Sequence, residues 1–225
     1  MVGLNEFSKS YYEECDFYEK FSKAEDSLKL IENFLVKVTK NKNVLDLGCG
    51  TGKYTSILFN NTKSIIGIDK SQNQLQIAKN KLESNLFVHA DASALPFEDK
   101  TFDVVISCWC VGTIQDSIIQ KKVLEETKRV LKQGASAYFV ENDIGGEFEE
   151  IRGRFPNTER TLSYNNFLEA NGFKVCKKIK TFFDFQSLDD AKNTFEHIWG
   201  NEVANKIKSK KIMHNVVIYQ FTKKA

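Results

Sequence analysis

The sequence predicts an α/β fold: a doubly wound, mostly parallel sheet with helices on both faces. Three observations carry this reading. Short apolar runs alternate with helix-patterned stretches, the arrangement that builds βαβ units. The first apolar run ends in a glycine cluster, and acidic residues follow the ends of the next two. Ligands of open α/β sheets bind at the carboxyl ends of strands, so these residues are the ones to inspect.

In chain order, Asn43 to Leu47 reads as strand one, and Lys53 to Asn60 as the helix behind the glycines. Ser64 to Ile68, closed by Asp69, is strand two. Ser71 is placed to cap a helix carrying Leu75, Ala78 and Leu82 on one face. Leu86 to Ala90 is strand three, and Phe102 to Cys108 is a fourth strand, apolar enough to be buried on both faces. Ile118 to Leu131 is an amphipathic helix that Lys132-Gln133-Gly134 ends, with Gly134 as its left-handed residue. Ala135 to Glu141 is strand five. Ser163 is expected to cap a helix over Tyr164 to Ala170, followed by strand six from Phe173 to Phe183. A helix over Asp189 to Ser209 and strand seven over Asn215 to Thr222 complete the chain.

Composition narrows the function. With 225 residues, 41% hydrophobic and 28% charged, the chain is an ordinary globular sequence that needs no covalent staple. Five scattered cysteines without CxxC spacing read as reduced thiols, and no apolar run approaches the roughly 18 residues that cross a bilayer. A cytoplasmic protein without a membrane is the expectation. The formal charge is +2 and concentrates in residues 172–225, with 11 basic and 5 acidic side chains. Only four basic residues are arginine, the usual reader of phosphate and base edges, which argues against nucleic acid.

The strand-one loop reads Asp46-Leu47-Gly48-Cys49-Gly50-Thr51-Gly52. A dinucleotide fold uses GxGxxG, but its third glycine position is here occupied by Lys53. Asp69, 21 residues beyond Gly48, suits a carboxylate accepting both hydroxyls of a ribose; its plainer role is a helix cap, which Ser71 already provides. Asp91, followed by Ala92-Ser93-Ala94-Leu95-Pro96-Phe97, can accept from an adenine amino group between apolar neighbours, or simply close a loop turn.

The segments VLDLGCGTG (44–52), GIDKS (67–71), DASALPF (91–97), FDVVISCWC (102–110) and VLEETKRVLKQG (123–134) together resemble the S-adenosylmethionine-dependent methyltransferases of the Rossmann-like class, in particular the small-molecule, ubiquinone-biosynthesis-like branch. The resemblance covers residues 40–141 and fades beyond 145. It implies a seven-stranded sheet whose last strand is antiparallel, and S-adenosylmethionine as cofactor. The implied cofactor set is Asp46, Gly48, Cys49, Gly50, Gly52, Asp69, Lys70, Asp91, Ala92, Ser107 and Cys108. In it Gly48 and Gly50 approach the methionine part, Asp46 and backbone at Ser107 or Cys108 meet its ammonium, Asp69 holds the ribose, and Asp91 with Ala92 holds the adenine. Lys132-Gln133-Gly134-Ala135 departs from the family's Lys-Pro-Gly-Gly turn without touching a ligand position. The whole of 1–225 reads as one methyltransferase domain: a helical lid over 1–40, a cofactor core over 41–145, and a substrate-side half over 146–225 with an insertion at 185–211.

Methyl transfer from a sulfonium is an in-line displacement with a neutral leaving group, so alignment and desolvation carry most of the work and no catalytic residue is assigned. Substrate candidates are Tyr11, Tyr12, Trp109, Arg154 and His197. Tyr11 and Tyr12 belong to an aromatic leading segment, Met1 to about Phe21, that is either core packing or a lid ordering with cofactor. Arg152 and Arg154 suggest an anionic or strongly polar acceptor, against surface pairing with Glu147, Glu149 and Glu150. Phe195, His197 and Trp199 would roof the pocket. His89 and His214 read as packed or hydrogen-bonded core histidines, and Lys206 to Lys211 as a solvated helix face. No metal is expected at Cys108-Trp109-Cys110. The acceptor is a small molecule in this reading. An RNA methyltransferase is the alternative, against which Ser107-Cys108-Trp109-Cys110 stands where an NPPY-like tetrapeptide belongs, and a non-catalytic cofactor-binding protein is a third.

Overall fold

A computed structural model describes residues 15–82 and 84–224. Two leading helices, α1 (Cys15–Ala24) and α2 (Leu30–Thr39), precede the sheet strands β1 (Asn43–Leu47), β2 (Ser64–Asp69), β3 (Phe87–His89), β4 (Phe102–Cys108), β5 (Leu131–Asn142), β6 (Lys174–Asp184) and β7 (Lys211–Thr222). Between them lie α3 (Lys53–Leu58), α4 (Gln72–Lys79), α5 (Ser117–Val130), α6 (Glu147–Ile151), α7 (Glu159–Ala170), α8 (Leu188–Trp199) and α9 (Asn201–Ala204). The sheet order is β3-β2-β1-β4-β5-β7-β6, and the chain reverses direction outward from β1 and β4. β7 is antiparallel to both its neighbours and the other strands are parallel, as expected.

Alternation along the strands sorts side chains onto two cores. Val44, Val104 and Ile106 face Ile31 and Leu35 of α2 and Leu58 of α3. Leu45, Leu47 and Val105 face Val123, Leu124 and Val130 of α5 with Leu168 of α7. Each fully buried aliphatic side chain contributes roughly 1.5–3 kcal/mol on leaving water. A third cluster of Phe21, Phe148, Phe183, Phe195 and Ile198 lies where α1, α6, α8 and the β6–β7 pair converge.

Several boundaries differ from the sequence reading. α7 begins at Glu159, so Ser163 is inside the helix rather than its cap; the buried face is Thr161, Asn165 and Leu168, largely polar and invisible to an apolar periodicity. Gly200, at φ 86°, breaks the expected Asp189–Ser209 helix into α8 and α9, and Lys206 to Lys210 fall in the non-helical connection that follows, with the lysines exposed and Ile207 buried. Gly134 has the expected positive φ of 74°, but β5 has already begun at Leu131, so the glycine serves an irregular strand start and not a helix end. Ser71 does cap α4, accepting from Gln74 N–H at 3.3 Å.

The turn between α1 and α2 hangs on Asp26. Its carboxylate accepts from the backbone N–H of Leu30, Ile31 and Glu32, each at 2.9 Å, and from the Thr181 hydroxyl at 3.1 Å. It thus caps α2 and ties it to β6. Removing it leaves buried donors unpaired, so Asp26→Ala should destabilise the protein by about 2–4 kcal/mol. Chemical denaturation measures this; a loss below about 0.5 kcal/mol would refute that role.

Candidate functional site

The glycine loop between β1 and α3 is shaped by hydrogen bonds to the end of β2. Gly48 and Cys49 N–H donate to the Ile68 carbonyl at 2.9 and 2.8 Å, and Gly50 N–H donates to Asp69 Oδ2 at 2.9 Å. Gly48, Gly50 and Gly52 have φ of 74°, 55° and 78°, a region that side chains with a Cβ enter at a cost. Space forbids a Cβ as well: at Gly48 it would collide with Cys110, and at Gly52 it would lie 2.9 Å from the Ala78 methyl.

Asp69, buried, accepts through its other oxygen from Ser71 N–H at 2.8 Å. Desolvation raises its carboxyl above the usual range against these two bonds. The Lys70 backbone N–H adds a further, weaker bond, and the carboxylate still has acceptor capacity left, since its two oxygens offer about four lone-pair sites. Asp46, 2% exposed, accepts from the Thr55 hydroxyl at 2.6 Å and is pushed up to about 6, chiefly by burial. Asp91 is exposed and accepts from both the N–H and the hydroxyl of Ser93, an Asx turn that holds its carboxyl below its ordinary value. The Leu95–Phe97 segment beyond it is clamped by Arg129, which donates to the Leu95 and Phe97 carbonyls and to Glu126. Lys70 is exposed beside these residues, and its carbonyl lies 3.0 Å from His89 Nε2. His89 is therefore a surface residue and not the core histidine expected, because β3 is an edge strand.

A narrow cleft opens beside the loop, lined by Asp46, Gly48, Cys49 and Thr51, by Lys53 and Tyr54 of α3, by Cys108 and Trp109 at the end of β4, and by Tyr18, Ser22 and Glu25. The last three stand at helical spacing along α1 and the turn after it. Tyr18 packs over Gly50, where a Cβ would lie 3.4 Å from its ring, an ordinary contact, and 3.0 Å from Gln74 Oε1. Two lysines fasten α1 down. Lys53 Nζ donates to the Ser22 and Glu25 carbonyls at 2.6 and 2.8 Å, which complements the negative end of the helix dipole, and Lys81 pairs with Glu19 at 2.7 Å.

Of the sequence-predicted substrate residues among the described ones, Trp109 alone lines this cleft. It sits at φ 51° and stacks between Tyr54 (6.4 Å between centroids) and His214 (5.7 Å); its indole N–H and the Tyr54 hydroxyl are buried with no partner among the described residues. His197 lies elsewhere. Phe195 and Trp199 point inward one helical turn apart, which turns His197 outward, where it stacks on Phe17 at 3.6 Å and its Nδ1 lies 2.9 Å from the Asn193 carbonyl. Arg154 is half-buried beyond α6 and does not line the cleft. Arg152 pairs with Glu149 and lies over the Phe148 and Trp199 rings, so its charge is spent in the aromatic cluster. Ser107 is fully buried on β4, and Cys108 is a thiol that burial pushes up. Tyr11 and Tyr12 lie outside the described residues. Sequence reasoning missed Tyr18, Ser22, Glu25 and Tyr54; the i, i+4, i+7 spacing of the first three was the available signal.

Comparison with known proteins fits this arrangement. Residues 45–139 match the methyltransferase domain family. The chain is 30% identical over 214 residues to the uncharacterized protein MJ1252 of Methanocaldococcus jannaschii, across 84% of this chain and 80% of that one. It is 26% identical over 213 residues to malonyl-[acyl-carrier protein] O-methyltransferase of Buchnera aphidicola, across 91% and 85% of the two chains. A SAM-dependent methyltransferase of Thermotoga maritima has the same fold, with a TM-score of 0.63 at 18% identity over 97% of this chain and 100% of that chain. A strand-end glycine loop stitched to an acidic residue on the next strand, on a sheet with this strand order, thus places the chain among the Rossmann-like S-adenosylmethionine-dependent methyltransferases.

Proposed function

We propose that the protein transfers a methyl group from S-adenosylmethionine to a small or medium-sized organic acceptor by in-line displacement. The carrying observation is the Gly50–Asp69 hydrogen bond, which fixes an open glycine loop beside a buried carboxylate that keeps acceptor capacity. Such a carboxylate suits vicinal ribose hydroxyls, and the residues fit the cofactor: Asp69 for the ribose, Gly48 and Gly50 for close backbone approach, Asp46 and the Cys108 region for the methionine end, and Asp91 with Ala92 for the adenine. When bound, the cofactor supplies an electrophilic methyl group on a sulfonium whose departure leaves a neutral thioether.

The chain's own part is to orient and to exclude water. Trp109, Tyr54 and the aromatic cluster of Phe21, Phe148 and Phe183 make the ground beyond the cleft apolar, where alignment and desolvation favour displacement. A small acceptor is supported by this aromatic character and by relatives whose names specify small-molecule or acyl substrates. Residues 146–225 supply Phe148 and Phe183 of that wall, which supports reading them as the specificity half of a single domain formed with the loop-bearing core.

Calorimetry should show binding of S-adenosylmethionine and S-adenosylhomocysteine and none of NAD, because Lys53 fills the position where a dinucleotide loop needs glycine. Tight NAD binding without response to the methyl donor would sink the proposal. Asp69→Asn should weaken S-adenosylhomocysteine binding at least ten-fold, about 1.4 kcal/mol or more, while the protein stays folded by circular dichroism. Unchanged affinity with a collapsed melting temperature would restrict Asp69 to shaping the loop.

A further inference from the structure

We propose that Glu25, brought to the cleft by the turn after α1, is a cofactor-positioning residue whose carboxylate receives the α-ammonium group of the cofactor's amino-acid end. This rests on the assignment of the cleft to S-adenosylmethionine. Glu25 is 7% exposed and lines the cleft alongside Asp46 and Gly48. Its side chain accepts no hydrogen bond from any described residue: Lys53 Nζ stands 3.9 Å from Oε2 but donates to two backbone carbonyls, and His214 Nδ1 stands 3.7 Å from Oε1. A buried carboxyl held only by one long ion pair with Lys53 still has acceptor capacity for a cationic ligand. An ammonium carries three N–H donors, so it can serve Glu25 and Asp46 together.

The surroundings also fix what Glu25 does before the ligand arrives. Burial pushes its carboxyl up to about 8, with Lys53 opposing and Asp26 reinforcing. His214, fully buried between Trp109, Phe183 and Phe148, stays neutral because burial pulls it down to about 3. Its Nε2 lies 2.8 Å from Asn142 Oδ1, which makes Nε2 the donor and turns the Nδ1 lone pair toward Glu25. Tyr54 and Cys108, the other titratable groups nearby, are pushed upward and remain neutral, while Asp46 titrates at about 6, well below Glu25. Burial therefore favours the protonated form of Glu25 before a ligand arrives. Pairing with a cation stabilises its ionised form, so the proton leaves to solvent as the cofactor binds. The sign follows: below about pH 8 affinity rises as pH rises, by up to ten-fold per unit, and above that it levels off.

Isothermal calorimetry at pH 7.2 in phosphate and in Tris, whose ionisation heats differ, counts the proton. S-adenosylhomocysteine should release most of one proton on binding to the wild type, and 5′-methylthioadenosine, which lacks the amino-acid end, should release none. In Glu25→Gln the release should vanish and S-adenosylhomocysteine affinity should fall at least ten-fold, with 5′-methylthioadenosine affinity unchanged. Equal proton counts for the two ligands on the wild type overturn the proposal even if the variant does not fold. Loss of affinity for both ligands in Glu25→Gln, or for neither, overturns it as well. A wild type that binds neither ligand removes the cofactor assignment itself, and this inference with it.

Discussion

Asp69 accepts from the backbone N–H of Gly50 on one oxygen and of Ser71 on the other, and the form of the site follows from that carboxylate. It fixes the turn out of β1 and the turn out of β2 in one stroke. The loop in turn sets the start of α3, whose first residue, Lys53, reaches back to α1. Had the loop carried any Cβ at Gly48, Cys110 and the end of β4 would have to move, and Trp109 with them. Cofactor loop, β4 terminus and leading helix are therefore one mechanical unit.

The leading helix is a wall of the cleft in this structure. Lys53 on two carbonyls and Lys81 on Glu19 hold its polar side, while Phe21 is wedged against Phe183 at 4.7 Å and lies among Phe148, Phe195 and Trp199. Polar fastening toward the glycine loop and aromatic packing against Phe148, Phe183 and Phe195 make α1 a bridge between the two. Movement of α1 would open both at once.

Most of the fold was legible because its determinants are local. Glycines that need positive φ, Ser71 beside its helix, and strands of period two declare themselves within a few residues. The candidate site is readable by the same local signals: Asp46, Asp69 and the glycines stand at strand ends, where the topology of an open α/β sheet puts ligands. What was illegible depends on long-range packing or on polar burial. The α7 boundary escaped because Thr161 and Asn165 occupy its buried face, Thr161 bonding the buried Glu149. Gly200 inside an otherwise continuous pattern signalled the break in α8 only through its own conformation. Glu25 escaped because nothing in its neighbourhood says that a residue 28 positions later will anchor its carbonyl beside a glycine loop. His197 was misread because Phe195 and Trp199 were grouped with it by sequence, although a helix sends i+2 to the other side.

The buried acids give the cleft a charge logic of their own. Asp46, Asp69 and Glu25 are all raised by desolvation, and only Lys53 offers a cation among the residues that line the cleft. A carboxyl whose folded value lies above its unfolded one binds more protons in the folded state, so it draws down stability as pH climbs from the ordinary carboxylate range through the folded value. Asp46 does this up to about 6, and Glu25 with Glu141, which accepts from Tyr164, up to about 8. Paired surface acids act with the opposite sign: Glu126 with Arg129, Asp103 with Lys132 and Asp91 with Ser93 are lowered, and their contribution is lost only as pH falls through those depressed values. Stability is thus placed on the outside of the molecule and electrostatic strain at the cleft. A ligand bringing positive charge reverses that strain where it arises, so a sulfonium with an ammonium is favoured by the same desolvation that makes the empty carboxyls costly.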